Sequence, residues 1–258
     1  MTKALIQARM TSARFHGKVL KKILERPMLE LMVERVRKSQ MIDDVIVITS
    51  TDLSDDPIEL FCLEKNICYF RGDLNDVLNR YYQAAKKFKV KNIVRLTGDC
   101  PLIDPWLIDE TVKFFIENKL DFAGNSTPPE STVPDGMDVE IFSFESLQRA
   151  SKEAYTTSDR EHVTFYFWKN PDKFRVGIYK LENNLSHYRL SVDYPEDFEL
   201  VTKIFEFFNN NNNNIPATLE KIIKFLEDNP GYAQINSHIK TNCGWNLASE
   251  DVSVNRKE

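Results

Sequence analysis

Three cations fall within ten residues near the start of the chain: Arg9, Arg14 and Lys18, in the stretch QARMTSARFHGK. Guanidinium groups grip phosphate oxygens in a bidentate manner, and a lysine adds a mobile point charge, so this spacing suits a polyphosphate. Thr11 and Ser12 add hydroxyls and backbone N–H groups to the same loop. The GxxxxGK[ST] spacing of a Walker A loop is absent. A second candidate is Asp99 in VRLTGDCPLIDP, where Gly98 permits close backbone approach and the carboxylate can hold a hard cation. Asp193 in SVDYPED repeats that layout, an apolar run ending in Asp before a Pro-initiated helix. Two carboxylates from distant strand ends are what a Mg²⁺–nucleotide site requires. Taken alone, the loop also reads as a solvated basic segment, and Asp193 as a helix cap.

The elements that position these groups alternate. An apolar run at residues 3–8 precedes the basic loop, and a helix begins near Pro27 with Leu29, Met32, Val33 and Val36 on one face. Residues 45–50 form a β-branched run, as expected of a parallel strand buried on both faces. Asp56 is the expected cap of the next helix, with Pro57 in its first turn and Glu59 closing a capping box. A strand at 67–70, a helix at 76–89, a strand at 92–96 and a helix capped by Asp104 continue the series. Strand–helix alternation predicts a mostly parallel sheet covered on both sides, with ligands at the carboxyl ends of the strands. That topology gathers the 9–18 loop, Ser50 and Thr51, Arg71 and Gly72, and Gly98 and Asp99 around one crevice.

Beyond Asp121 the pattern loosens. Residues 125–138 read as a long loop rich in Pro, Thr and Asp, and such loops are often functional. Strands are expected at 139–142, 175–179 and 189–192, and helices at 143–154, 158–169 and 195–208. The chain divides into a catalytic domain at 1–208, an Asn-rich connector at 209–214 and a short helical tail at 215–258, whose last eight residues read as disordered. Trp245 in that tail is expected to pack on the main domain or on a partner chain.

Composition narrows the function. The 258 residues carry 34 basic and 39 acidic side chains, a formal charge of −5, which argues against nucleic acid as the main partner. Cys62, Cys68, Cys100 and Cys243 form no CxxC or Cys/His pattern of a zinc site and read as free thiols of a reducing compartment. No segment has the length and apolarity of a signal peptide or membrane span, so a cytoplasmic protein is expected. The aromatics at helical spacing, among them Tyr81, Phe115, Phe165 and Phe205, read as core.

In order along the chain, QARMTSARFHGKVL, RGDLNDVLNRYYQAA, VRLTGDCPLIDP, PDGMDVEIFS, DREHVT and SVDYPEDFELV resemble the cytidylyltransferases that activate acidic sugars, most of all the spore-coat-polysaccharide type. The resemblance spans about residues 3 to 205. The resemblance implies a three-layer Rossmann-like nucleotidyltransferase fold of the GT-A-like kind and the transfer of CMP from CTP to a small anionic acceptor. It implies that Arg9, Arg14 and Lys18, with Thr11 and Ser12, hold the CTP phosphates, and that Asp99 and Asp193 bind Mg²⁺. Gly98, Thr51, the backbone near Ala8 and the segment from Arg71 to Arg80 would lie around the nucleotide. Asp135, Asp138, Glu140, Arg160, Glu161 and His162 would lie on the acceptor side. A homodimer is compatible with the resemblance. The family loop reads closer to GSTRLPGK, and here Thr11, Ala13, Phe15 and His16 stand at the Gly, Thr, Leu and Pro positions. Two other readings stay open: a glycosyltransferase of similar fold, although Gly98-Asp99-Cys100 lacks a DxD pair, and a non-catalytic nucleotide-binding module.

Overall fold

The computed structural model describes residues 1–126, 131–210 and 217–240. Residues 127–130 of the long loop, most of the asparagine run, Cys243, Trp245 and the last eight residues lie outside the described residues.

Alternation along the strands builds two apolar faces. Strand β1 (Thr2–Gln7) sends Ala4 and Ile6 to one side and Leu5 to the other. The hairpin β2 (Lys22–Ile23) and β3 (Arg26–Pro27) leads into helix α1 (Met28–Val36). Strand β4 (Asp44–Ser50) again splits its side chains, Val45 and Val47 from Ile46 and Ile48. Helix α2 (Asp56–Glu64), β5 (Cys68–Gly72), α3 (Val77–Lys87), β6 (Asn92–Thr97) and α4 (Pro105–Glu117) follow. Helices α1, α2 and α4 cover one face, and α3 covers the other with α5 (Phe144–Glu153) and α7 (Phe165–Trp168).

Strands β7 (Phe122–Gly124), β8 (Glu140–Ser143) and β9 (Val176–Ile178) complete a seven-stranded sheet of order β5-β4-β1-β6-β8-β7-β9. Only β8 runs against its neighbours. The sheet is therefore mostly parallel with helices on both sides, the three-layer α/β arrangement expected. Its reversal at β8 has a consequence for the site: the amino end of β8, not its carboxyl end, opens onto the crevice. The long loop thus delivers residues 133–140 directly to the crevice.

A third apolar cluster lies where α8 (Pro195–Asn210) and α9 (Leu219–Asp228) meet Met28, Leu31, Leu102 and Leu107. Buried Arg35 ties this cluster to the sheet layer, donating to the carbonyls of Leu102, Ile103 and Ala217, and burial pulls its guanidinium down to about 10. Asp104 caps α4 through the Trp106 N–H, as expected, and also accepts from the Leu219 N–H. The short helix α10 (Pro230–Ala233) closes this end. Among the described residues no helix is long and apolar enough to cross a membrane.

Three expectations are corrected. Residues 189–192 are not a strand: they make one parallel bridge, Asp135 with Arg189, and the Val192 N–H donates to the Asp99 carbonyl at 2.8 Å. The segment is extended because it is pinned between two loops, outside the sheet. The helix at 158–169 is two, α6 (Thr157–His162) and α7, divided where Val163 adopts φ 57°. Asp56 is the first residue of α2 rather than its cap. Asp55 precedes it, and its buried carboxylate accepts instead from the Met10 and Ser50 N–H groups. Glu59 does not close a capping box; it accepts from Tyr69 and Arg71.

Candidate active site

The basic loop is folded back on itself. The Met10 carbonyl accepts from the N–H groups of Ser12 and Gly17, at 3.0 and 2.9 Å, and the Met10 N–H is fixed by Asp55. Backbone bonds thus shape the loop where the family's Gly and Pro are missing. Gly98 makes room for the turn beneath it: a Cβ there would stand 3.1 Å from the Gln7 carbonyl oxygen and 3.2 Å from the Ala8 Cβ.

Lys18 is the centre of this half of the site. The residue is 7 % exposed, and its ammonium donates to Asp99 Oδ2 at 2.9 Å and to Asp193 Oδ1 at 2.8 Å. Arg14 reaches the same Asp193 oxygen at 2.8 Å. Burial works to raise both carboxylates, and Lys18 overrides it, so Asp99 and Asp193 stay below the usual carboxylate range. Burial likewise works to lower the Lys18 ammonium, and the two carboxylates more than offset it. Both acids are ionised at neutral pH. They are the pair that could hold a hard cation; among the described residues no group of three or more His, Cys, Asp or Glu gathers into a metal site.

Two cavities meet at this pair. The smaller, about 150 Å³, is lined by Gln7, Ala8, Arg9, Ser12, Arg14, Lys18, Gly98 and Asp99. The larger, about 290 Å³, is lined by Asp135, Asp138, Glu140 and His162, with Arg95, Ser126, Thr164, Arg189 and Ser191. Arg14, Thr97, Asp99 and Asp193 belong to both.

The structure therefore brings most of the expected residues together, in two groups around one wall. It does not bring all of them. Thr11 and Glu161 are exposed and line neither cavity. The exposed Thr51 bonds through its N–H to the Gly72 carbonyl. Arg71 is committed to Asp56, Glu59 and the carbonyls of Ser50 and Asp52, stapling β5 to α2. Arg80 donates to the carbonyls of Asp73 and Leu74, and Arg160 to Asp76 and the carbonyls of Ser151 and Ala154. The packing of β5 against α2 and of α3 against α6 explains these arginines.

Two arginines escaped the sequence reading. Arg189, 5 % exposed, donates to Asp135 at 2.7 Å, Asp193 at 3.1 Å and the fully buried Asp197 at 2.9 Å. Asn236 completes the cluster, donating to Asp197 and to the Arg189 carbonyl. Arg95 pairs with Glu140 directly across β6 and β8. A charged residue inside an otherwise apolar strand was the available signal for Arg95; Arg189 lies four residues before Asp193 and eight before Asp197, a spacing with no motif of its own.

Other titrations follow burial. Asp138 is pushed up to about 7, by burial and by Asp135 beside it. Burial lowers the His162 imidazole, which stacks on Phe165 with centroids 4.4 Å apart. Cys100 is buried against Thr97 and Asp99, and burial, reinforced by Asp99, holds its thiol protonated, in keeping with a packing role.

The cytidylyltransferase family profile matches residues 3–234. The chain is 36 % identical over 238 residues to the protein MJ1063 of Methanocaldococcus jannaschii, covering 92 % of this chain and 94 % of that one. It is 30 % identical over 208 residues to the spore coat polysaccharide biosynthesis protein SpsF of Bacillus subtilis, covering 78 % and 85 %. A solved cytidylyltransferase of Leptospira borgpetersenii superposes with a TM-score of 0.83 at 33 % identity, over 90 % of this chain and 96 % of that chain. With the fold, the two joined cavities and these matches in place, the chain belongs to the cytidylyltransferase family.

Proposed function

We propose that this chain transfers the cytidylyl group of CTP to an oxygen of a small acceptor bearing an ionised group, releasing pyrophosphate. The observation that carries this reading is the shared wall: Arg14, Thr97, Asp99 and Asp193 face both cavities. A nucleotide with its phosphates in the smaller cavity presents its α-phosphorus to an acceptor in the larger one. The acceptor oxygen forms the new bond to that phosphorus, the bond to the β-phosphate oxygen breaks, and pyrophosphate departs with the electron pair.

Each residue's part follows from position and charge. Arg9, Ser12 and Arg14 line the phosphate side, where guanidinium and hydroxyl groups neutralise and orient the triphosphate. Lys18 lies beside the two carboxylates, and where Mg²⁺ takes their oxygens its ammonium would turn to the phosphates and neutralise charge that builds on the leaving group. Asp99 and Asp193 fit Mg²⁺: two hard oxygens already converge on one cation within 3 Å, and Mg²⁺ takes one or two carboxylates with substrate phosphates and water. Bound there, Mg²⁺ would supply Lewis-acid polarisation of the phosphate. An ionised acceptor oxygen needs no base. For a hydroxyl, His162, which lines the larger cavity and whose imidazole burial shifts toward the neutral form, would take the proton.

The likeness to the spore coat polysaccharide biosynthesis protein SpsF supports a product destined for a polysaccharide. The test is pyrophosphate release with Mg²⁺ across the four nucleoside triphosphates and a panel of anionic acceptors. Release confined to CTP is expected. Release of a nucleoside mono- or diphosphate from a nucleotide sugar, with no pyrophosphate from any triphosphate, would favour the glycosyltransferase reading; CTP binding with neither release would favour the non-catalytic one.

A further inference from the structure

The larger cavity is more acidic than an anionic acceptor alone calls for. Five carboxylates line it against three guanidiniums. Each of those guanidiniums already faces a carboxylate: Arg14 meets Asp193, Arg95 meets Glu140, and Arg189 meets Asp135 and Asp193. Asp138 is the exception. It accepts from the Gly136 N–H at 2.8 Å and from the Ser126 side chain, and among the described residues no cation pairs with it. Two further groups point to a missing ligand. Among the described residues Glu140, 4 % exposed, has no hydrogen-bond partner at Oε1, and Ser191, 5 % exposed, has none at Oγ. Such buried polar atoms are rarely left unmatched unless something else fills them.

Asp138 and Glu140 are two residues apart on the extended chain entering β8, so both face the same cavity wall. An ammonium carries three N–H donors and no acceptor. It supplies the counter-ion that Asp138 lacks and the donor that Glu140 Oε1 lacks. A neutral hydroxyl supplies one donor and does little to favour the ionised form of Asp138. A second anion on this wall meets repulsion.

We propose that the acceptor of this enzyme is zwitterionic: besides its nucleophilic oxygen it carries an ammonium group, held by Asp138 and Glu140, with Ser191 completing the contact. This rests on the cytidylyl-transfer reading and narrows its substrate class to amino-bearing sugar acids, sugar phosphates or phosphonates.

The experiment compares matched acceptors that differ only by the amine, with CTP and Mg²⁺: glucosamine 6-phosphate against glucose 6-phosphate, 2-aminoethylphosphonate against ethylphosphonate, and an amino sugar acid against its hydroxy counterpart. The amino member of at least one pair is expected to release pyrophosphate with kcat/KM at least tenfold above its partner, and D138N is expected to erase that difference. Equal or better use of the hydroxy member overturns the proposal. Where no pair turns over, binding of the same compounds to the CTP-loaded protein decides, and equal binding of both members, or of neither, overturns it as well. Calorimetry with CTP alone separates the two levels: loss of CTP binding sinks the cytidylyl-transfer reading, whereas CTP binding without amine preference sinks only this one.

Discussion

The two halves of the site are built on opposite electrostatic plans. On the phosphate side the central charges have their complements in place: Lys18 lies between Asp99 and Asp193, and Arg14 braces Asp193. On the acceptor side Asp138 has no counter-ion among the described residues, and polar atoms of Glu140 and Ser191 are unmatched. A preorganised half suits the chemistry common to every turnover, because its dipoles need no rearrangement when charge moves. An incomplete half suits discrimination, because a site with unpaired polar groups favours the ligand that pairs them and rejects the one that does not.

Arg189 joins the two halves, so its removal is expected to have the largest effect. Arg189→Met leaves Asp135, Asp193 and Asp197 without their shared cation. Breaking a buried charge cluster of this kind destabilises by about 3–5 kcal/mol, read as a lower denaturation midpoint. A midpoint within error of wild type would mean that the halves are independent. Asp193→Asn comes next. Turnover of CTP is expected to fall by about 10²–10³-fold while circular dichroism stays unchanged. Wild-type turnover would break the claim that the shared wall carries the reaction.

Asp138→Asn sharpens the comparison through pH. The folded state raises this carboxyl to about 7, so between the ordinary carboxylate range and about pH 7 the fold holds a proton that the unfolded chain has released. Stability from this group is present at low pH and is lost as pH rises through about 7. The Asn variant has no such loss. Its melting temperature is expected to match wild type near pH 4 and to exceed it by about 2–4 °C at pH 8. A difference that does not change with pH would remove the unpaired carboxylate from the argument. The smallest effect belongs to Arg71→Ala. Its ion pairs are partly exposed, and such pairs contribute about 0–1 kcal/mol. CTP kinetics within about twofold of wild type are expected; a large rise in KM for CTP would place β5 in the nucleotide site after all.

The phosphate half was the more legible in sequence. Arg14, Lys18 and Asp99 sit in short motifs at strand ends, and β-branched runs such as 45–50 fix those strands by local pattern alone. The acceptor half was legible as residue types, since Asp135, Asp138 and Glu140 follow one another, but not as an electrostatic design. Arg189 binds three carboxylates that come from two segments more than fifty residues apart, and no local pattern encodes that convergence. Strand β7 is three residues long, too short for its alternation to show. The partners of Arg71 and Arg80 were not legible either: they lie on the neighbouring helix and turn, and residue type alone does not show them.

Gly136 links these halves in one further way. It adopts φ 98°, and a Cβ there would stand 2.3 Å from the Ser191 backbone nitrogen. Any larger residue would wedge apart the two segments that meet at Asp135 and Arg189. Because Arg189 also pairs with Asp193, a change made in the loop before β8 would be felt at Asp193. Substitutions that reshape the larger cavity without moving its frame are thereby confined to side chains such as those at 138, 140 and 191, with the backbone at 136 acting as a fixed seam.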